Sequence, residues 1–222
     1  MVENLKAVRR PRGRPQIRPD EETHRLIIEA ARHEFQTKGY AQASMASVAQ
    51  KAGISTTTMY RLVPTKADLF RSVVSNRISR FMLELDPEAL DAFALEDALE
   101  RMLVTYGSLT LDGETIAMIQ LVLGECDRFP EIAAAFYETA ICRVGEAMEA
   151  WLQRQCDRGL LDIGDVRMAT GLLRGMMVQE PQRAVMLGQR VPPDHAEISG
   201  RAQYCARIFL DGCRRRQCPG TA

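Results

Sequence analysis

The chain has 222 residues, of which 46% are hydrophobic and 26% charged, a composition typical of a folded globular protein of one or two domains. Its longest stretch without a charged side chain, Gly39 to Gln50, is far shorter than the ~20 apolar residues of a membrane-spanning helix. The first twenty residues lack the apolar segment of a secretory signal. These features exclude a disordered chain and predict a cytoplasmic protein with no membrane partner.

The charges are divided unevenly along the chain. The 29 basic and 29 acidic side chains balance, but residues 1–80 hold 15 basic and 7 acidic side chains, and residues 81–222 hold the remaining 14 basic and 22 acidic ones. A basic half attracts a polyanion, whereas an acidic half is repelled by it. The sequence therefore predicts that the first part of the chain meets a polyanion.

Strand patterns are nearly absent, and apolar residues recur at helical spacing along the chain. The pattern predicts an all-α protein of about nine helices, four before the Asp86-Pro87 break and five after it. The predicted helices cover residues 20–39, 44–52, 55–63, 66–85, 88–109, 113–127, 130–158, 165–188 and 195–216.

Residues 45–60, MASVAQKAGISTTTMY, have the pattern of a helix-turn-helix. Two helices cross over a tight turn when the contact residue on the first is small, the turn residue accepts a left-handed backbone, and apolar side chains seal the crossing. These three needs are met by Ala49, by Gly53, and by Val48, Ile54 and Met59.

The second helix of this motif is the predicted recognition helix. Ser55 is expected to cap it. Its first turn presents Thr56, Thr57 and Thr58 outward, where a recognition helix meets base edges. This turn has no Arg, Asn or Gln to read one base decisively, unless Arg61 approaches from the next turn. The pattern predicts DNA binding without predicting the operator sequence.

Residues 39–70, GYAQASMASVAQKAGISTTTMYRLVPTKADLF, resemble the signature of the tetracycline-repressor (TetR) family of bacterial regulators. The resemblance extends from residue 20 to about residue 80. It implies an N-terminal DNA-binding domain of three helices and double-stranded operator DNA as a partner. By the same resemblance, the Ser44 hydroxyl binds a phosphate, Tyr60 reaches the DNA backbone, and the Lys66 ammonium meets a phosphate beside a helix N-terminus.

The chain departs from the family pattern at two places. Thr57 stands where the family often has glycine, and Leu62-Val63 stands where it often has aromatic residues. A threonine offers a methyl group for thymine and a hydroxyl for either base partner, so the first departure changes what the recognition helix reads.

The basic arm before the first helix contains Arg12-Gly13-Arg14-Pro15. This segment resembles an AT-hook core, in which two arginines enter the narrow minor groove of A·T tracts. The alternative is non-specific attraction of a disordered basic tail to phosphates. In either case Arg12 and Arg14 raise the affinity for DNA.

The acidic half holds the candidate ligand site. Residues 115–124, TIAMIQLVLG, are apolar on every side of a helix, which predicts a buried element, and Gln120 within it either bonds a backbone group or faces a cavity. Methionine and aromatic stripes on the later helices form either plain core or the lining of an apolar pocket, and the family resemblance favours the pocket. The candidate ligand-binding residues are Met102, Tyr106, Gln120, Phe136, Tyr137, Met148, Trp151, Leu172 and Met176.

The last two helices are the predicted dimer surface. Apolar residues from Ile198 to Gly212 step by four and three, as in a heptad seam. The family resemblance implies that these helices from two subunits form a four-helix bundle. The candidate interface residues of this homodimer are Leu173, Ile198, Ala202, Cys205 and Phe209.

Catalytic patterns are missing from the sequence. His24, His33 and His195 are too scattered for a metal cage or a Ser-His-Asp set, and no nucleotide-binding glycine pattern occurs. We therefore predict no enzyme activity, no metal and no cofactor. Two other functions stay open: a DNA-binding thiol redox sensor that uses Cys205, Cys213 or Cys218, and an all-helical enzyme or small-molecule carrier.

The sequence thus predicts a ligand-responsive DNA-binding regulator. The expected mode is a repressor that a small, largely apolar effector releases from its operator. The predicted organisation is a flexible basic arm (1–19), a helix-turn-helix DNA-binding domain (20–66) and a helical ligand-binding and dimerisation domain (67–222).

Overall fold

The computed structural model describes residues 19–84 and 87–214, and the regular structure within these ranges is helical. Leu161 and Arg214 form an isolated antiparallel bridge. The all-α prediction is confirmed. The helices of the described ranges are α1 (Asp20–Gln42), α2 (Met45–Lys51), α3 (Thr56–Leu62), α4 (Lys66–Glu84), α5 (Pro87–Asp91), α6 (Leu95–Thr110), α7 (Gly113–Glu125), α8 (130–157), α9 (Val166–Met186) and α10 (His195–Cys213).

Helix α8 changes its winding along its length. It begins as Pro130–Phe136, widens into a π-helical segment at Tyr137–Cys142, and continues as Arg143–Asp157. Short π-helical segments inside α-helices are rare and frequently lie at functional sites. In this chain the segment forms part of a cavity wall.

The prediction of one continuous helix over residues 88–109 is wrong. The chain leaves the helical conformation between α5 and α6, so that Leu90 is buried and the Asp91 carboxylate pairs with arginines of α8. Acidic residues in the first turn of α6 then favour a new helix start. Neither Gly nor Pro marks this break, so the turn signals of the sequence did not indicate it.

The core of the helix-turn-helix domain continues into the rest of the chain. The predicted stripe of α1, Ile27, Ala31 and Phe35, is buried. Phe35, Tyr40 and Phe70 form an aromatic cluster with ring centroids 5.6–5.9 Å apart. Phe129, which precedes α8, joins this cluster at 5.1 Å from the Tyr40 ring and so connects the two domains.

Helix α7 lies at the surface, which corrects the prediction that it is enclosed on every side. Leu123 is 61% exposed, and Gln120 is exposed as well. The opposite face of α7 packs on the domain, where Ile116 and Val122 are buried. Among the helices of the described ranges, none is both long and apolar enough to cross a bilayer.

Candidate DNA-binding and ligand-binding sites

The turn between α2 and α3 has the geometry that its residues predict. Gly53 has a φ of 67°, and the Ile54 amide donates to the Ala49 carbonyl at 3.0 Å. Val48 and Met59 are fully buried at the crossing. Because the left-handed residue is a glycine and the contact residue is an alanine, the two helices meet closely without strain.

Both helices of the motif begin at a serine cap. The Ser44 hydroxyl accepts from the Ser47 amide at 3.5 Å, and the Ser55 hydroxyl accepts from the Thr58 amide at 3.1 Å. The predicted cap at Ser55 is confirmed, and Ser44 caps α2 in the same way. Thr58 itself is half-buried, and its hydroxyl lies 2.9 Å from that of Ser55. It therefore takes part in the cap, and its contact with base edges stays a prediction.

The outer face of α3 carries Thr56, Thr57 and Tyr60, all of which are exposed. Arg61, on the same helix, pairs with Asp20 at the start of α1, with 3.0 Å between Nη2 and Oδ1. This carboxylate raises the pKa of Arg61 further above its ordinary value. The guanidinium must leave Asp20 before it reads a base edge.

Lys66 binds backbone carbonyls at the end of α1, and its contact with a phosphate stays a prediction. Its ammonium donates to the carbonyls of Tyr40, Ala41 and Ala43 at 2.8, 3.3 and 3.3 Å, and it lies 4.5 Å from the centroid of the Tyr40 ring. An ammonium has three N–H donors, and these three acceptors use them all. The physical reason is local. Carbonyls in the last turn of a helix have no amide donor within the helix, and the Lys66 ammonium is the donor for the end of α1.

The C-terminal end of α7 is attached to the end of α1. The Glu125 carboxylate accepts from the amides of Tyr40 and Ala41, both at 2.8 Å. Gly39 makes this contact possible, because its φ of 72° frees those amides and because a Cβ there would lie 2.8 Å from Glu125 Oε1. The predicted helix stop at Gly39 is thus a kink that Glu125 caps.

The N-terminal end of α7 is attached to α1 and to α4. Glu114 accepts from Arg32 of α1 at 2.7 Å and from Arg77 of α4 at 2.9 Å. Arg77 also pairs with Asp112 and donates to the Thr115 hydroxyl at 2.6 Å. We call the attachments at Glu114 and at Glu125 the two α7 joints.

A cavity of about 240 Å³ lies between α4, α6, α7, α8 and α9. Its polar lining consists of Arg77, Tyr106, Thr110, Thr115, Arg174 and Gln182. Its apolar lining, which includes part of the π-helical segment, consists of Val74, Ile78, Leu109, Met118, Ile119, Phe136, Ala140, Ile141, Val144 and Val178. A largely apolar cavity with a few convergent polar groups is the usual form of a small-molecule site.

Of the predicted ligand-binding residues, Tyr106 and Phe136 line this cavity. The buried residues Met102, Met148 and Trp151 are core side chains outside its lining. Met176 borders a surface groove instead, and the exposed residues Gln120, Tyr137 and Leu172 face solvent. Gln120 donates to the Met186 carbonyl at 2.8 Å, which is the first of its two predicted alternatives.

Sequence reasoning missed the two arginines of the cavity. A signal was available for each, because each stands inside an apolar stripe: Arg77 between the buried Val74 and Ile78, and Arg174 beside the buried Leu173. A charged side chain in such a position lacks water on the buried side and requires a partner or a ligand.

The predicted dimer seam is buried within the chain. Leu173, Ile198, Ala202, Cys205 and Phe209 are at most 7% exposed, and α10 packs along α6. The heptad-like stripe therefore faces the chain's own core. The apolar side chains that α9 and α10 expose are different ones, namely Met168, Leu172, Tyr204 and Ile208.

The cysteines bear on the redox alternative. Burial raises the pKa of Cys205 and of Cys213, in the second case together with the neighbouring Cys156. A raised pKa reduces the thiolate fraction on which oxidation depends, which stands against a sensor at these positions. Cys218, like Arg12 and Arg14 of the basic arm, lies outside the described residues.

Two family models match the chain. Residues 27–73 match that of the bacterial regulatory proteins of the tetR family, and residues 97–212, about half of the chain, match the C-terminal domain of AefR-like transcriptional repressors. None of the curated protein sequences matches.

Solved structures with the same fold cover most of the chain. A protein from Mesorhizobium loti assigned to the TetR-family transcriptional regulators is 28% identical, with a TM-score of 0.76 over 88% of this chain and 98% of that one. The flavonoid-responsive regulator FrrA is 24% identical, with a TM-score of 0.73 over 89% and 100%. The regulator FadR from Bacillus subtilis, solved with stearoyl-CoA, is 21% identical, with a TM-score of 0.66 over 85% and 98%.

The turn geometry of α2 and α3, the helical C-terminal domain and the two family matches agree. The chain belongs to the TetR family of bacterial transcriptional regulators.

Proposed function

We propose that this regulator is a homodimeric repressor that a small, largely apolar molecule releases from its operator. The observation that carries the proposal is the position of the cavity. Its walls include residues of α4 and α7, and both helices are tied to α1 of the DNA-binding domain, α4 through Lys66 and α7 through Glu125. A molecule that fits the cavity in only one arrangement of these helices therefore changes the affinity for DNA.

The two α7 joints supply the mechanical link. Thr115, Met118 and Ile119 of α7 line the cavity, and the attachments at Glu114 and Glu125 stand on either side of them along the helix. A ligand that shifts α7 pulls on α1 at two places, at Arg32 in its middle and at Tyr40 near its C-terminal end. Since α1 packs on α2 and α4, such a shift changes the spacing of the recognition helices in a dimer.

On the DNA side, the exposed face of α3 is the proposed reading surface. Thr56 and Thr57 reach base edges, while Tyr60 and the Ser44 hydroxyl anchor the backbone. Arg61 joins them once it leaves Asp20. Lys66 acts indirectly, because it fixes the end of α1 beside α2.

The proposed dimer surface is the exposed face of α9 and α10. Leu172 is 65% exposed and Tyr204 is 57% exposed, which is unusual for such large side chains on adjacent helices. A second copy packed on this face forms the four helices of a bundle.

The solved relatives support an apolar effector. FrrA is described as flavonoid-responsive, and the FadR structure holds stearoyl-CoA. Flavonoids and stearoyl-CoA both have large apolar parts, as the cavity of this chain requires.

The first experiment selects operator sequences from random DNA with the full chain. The expected product is a palindrome with half-sites about one helical turn apart. Fluorescence anisotropy of this DNA is then followed while decanoate or decan-1-ol is added. We expect at least one of these ten-carbon probes to weaken DNA binding about tenfold, within the usual range of allosteric coupling.

A variant with a filled cavity completes the test. Ala140 lines the cavity, so Ala140→Phe should abolish the response to the probes while free DNA binding persists. The matched control is Ala134→Phe, at an exposed position of the same helix. The proposal fails if no probe of either kind weakens DNA binding, or if the filled cavity responds like the wild type.

A further inference from the structure

We propose that the effector carries one acidic group and that Arg174 binds it. This inference rests on the ligand-responsive function proposed above and specifies the chemical class of the ligand. It follows from the contrast between the two arginines of the cavity wall.

Arg174 stands in the cavity wall and forms no ion pair with a described residue, although the Glu149 carboxylate is in its neighbourhood, with Arg174 Nη1 2.9 Å and Glu149 Oε1 3.9 Å from the Cβ position of Gly145. Its Nε donates to the Tyr106 hydroxyl at 3.3 Å, and its guanidinium lies 5.5 Å from the centroid of that ring. Across the described residues, no carboxylate forms an ion pair with it. The side chain is half-buried, so much of its hydration is lost as well.

Arg77 lines the same cavity but is neutralised by the protein. It pairs with Asp112 and Glu114, and the Thr115 hydroxyl accepts its third hydrogen bond. A ligand anion would have to compete with two carboxylates there. At Arg174 it would meet a guanidinium that donates to a neutral phenol, and so the anion belongs at Arg174.

The backbone of α8 provides the space for the Arg174 guanidinium. Gly145 lies just after the π-helical segment, and a Cβ at this position would be 2.9 Å from Arg174 Nη1. Any other residue would displace the guanidinium. A glycine at a buried helical position loses stability relative to alanine, and the close approach of Arg174 accounts for its presence.

The remaining lining limits the ligand to one acidic group. The Gln182 amide donates to the Thr110 carbonyl at 3.1 Å, and the Thr115 hydroxyl accepts from Arg77; both groups are neutral, so neither supplies the positive charge of a second anion site. The other walls are apolar. An apolar cavity of roughly 150 Å³ accommodates benzene. The larger cavity here, about 240 Å³, therefore suits an apolar body of about ten carbon atoms.

The experiment measures binding by titration calorimetry with two matched pairs of probes. One pair is decanoate and decan-1-ol, and the other is naphthalene-2-carboxylate and naphthalene-2-methanol. Each pair shares its apolar body and differs in the acidic group. We expect the carboxylate of at least one pair to bind about tenfold or more tightly than its alcohol, as a charge-assisted hydrogen bond in a poorly hydrated site provides.

Two variants attribute this preference to Arg174. Arg174→Met keeps much of the side-chain length but removes the charge, and it should abolish the preference while the alcohol still binds. Gly145→Ala keeps the charge but displaces it, and it should reduce the preference at least severalfold. Arg167→Met, at an exposed position of the same helix, should leave the preference unchanged.

The outcomes separate this inference from the function on which it rests. Equal binding of acid and alcohol, or a preference that survives Arg174→Met, overturns the acidic ligand and leaves the release of DNA by a neutral molecule intact. If none of the four probes binds, both the acidic ligand and the effector cavity are wrong.

Discussion

In the helix-turn-helix domain the buried charge is paired with opposite charges, whereas the described part of the C-terminal domain holds a charge without an ion pair and a buried indole N–H without a hydrogen bond. Lys38 and Lys51 bind the buried Glu34 carboxylate at 2.7 and 2.8 Å. In the C-terminal domain, Arg174 faces the cavity without an ion pair, and Trp151 Nε1 is the one fully buried side-chain nitrogen or oxygen of the described residues that has no hydrogen-bond partner.

The difference indicates that the two domains have different roles. Glu34 of α1 is joined to Lys51 of α2 and to Lys38 of its own helix, and loss of both lysines would leave its charge buried and unpaired. In the proposed function, a ligand pairs with Arg174 and a second subunit covers the exposed apolar side chains of the C-terminal domain. Four predictions test this contrast.

The largest effects are expected at two adjacent residues of α10. Phe209 is buried against α6, whereas Ile208 is 46% exposed. Phe209→Glu should therefore unfold the domain, since burying an unpaired carboxylate there costs several kcal/mol. Ile208→Glu should instead leave the fold intact and produce monomers. Circular dichroism and sedimentation velocity measure the two outcomes.

The control for the dimer surface is Leu123→Glu, which places the same charge on the exposed face of α7. It should remain dimeric and folded. Folded dimers of Ile208→Glu would show that the exposed face of α10 is not the interface.

The second prediction breaks the joint between the domains. Glu125→Gln leaves one carbonyl oxygen for the two amides of Tyr40 and Ala41, so one amide loses its acceptor. We expect the free energy of unfolding to fall by about 1–3 kcal/mol. Probe binding should persist, but its effect on DNA should weaken severalfold. Urea unfolding and anisotropy titrations provide the measurements.

Glu138→Gln is the control, because Glu138 is exposed on α8 away from α1. It should change neither property. Full coupling in Glu125→Gln would mean that the signal travels through Arg77 and α4 alone.

Local chemistry explains which parts of this molecule were predictable. The turn at Gly53 and the cap at Ser55 depend on residues within a few positions of each other, so the sequence predicted them correctly. The stripe from Ile198 to Phe209 was predicted to be a seam between subunits, because the spacing of apolar residues carries no information about what covers them. The structure covers it with α6 of the same chain.

The ligand site was harder to predict from the sequence, because spacing and residue type give no information about the neighbouring helices. Phe136 and Trp151 are aromatic residues on apolar faces of one helix, yet Phe136 lines the cavity and Trp151 packs in the core. Which of the two side chains lines the cavity depends on how five helices pack. The type of a side chain gives no information about that packing. Trp151 is accordingly expected to report a ligand only indirectly, and not through contact quenching as its residue type alone predicts.

The third prediction concerns the buried carboxylate of Glu34. Burial alone would raise its pKa, but hydrogen bonds from Lys38 and Lys51 outweigh burial and lower the pKa from 4.5 to about 2. The folded state therefore gains stability from Glu34 above pH 4.5, and this gain is lost as the pH falls from 4.5 towards 2. Glu34→Gln should be less stable than the wild type by about 1–3 kcal/mol at pH 7.

The measurement is urea unfolding of both proteins between about pH 7 and about pH 3, a range in which the unfolded chain takes up the proton while the folded carboxylate stays largely charged. The difference between them should shrink as the pH falls below 4.5, because protonation of Glu34 in the unfolded chain lowers the stability of the wild type and not that of Glu34→Gln. A difference that stays constant over this range would mean that the two lysines do not hold the carboxylate in its charged form.

The smallest effect is expected at the exposed pair of Arg61 and Asp20, where the helix-turn-helix domain meets DNA. Asp20→Asn removes the carboxylate that holds the Arg61 guanidinium and also removes a negative charge that phosphates repel. DNA affinity should rise about two- to fivefold, since exposed ion pairs of this kind are weak.

If Arg61 then reads a base, the increase should be larger for the selected operator than for random DNA, as competition anisotropy measures. Arg61→Ala should cancel the part of the increase that is specific to the operator. An equal increase for both DNAs would assign Asp20 to phosphate repulsion alone and exclude Arg61 from reading the sequence.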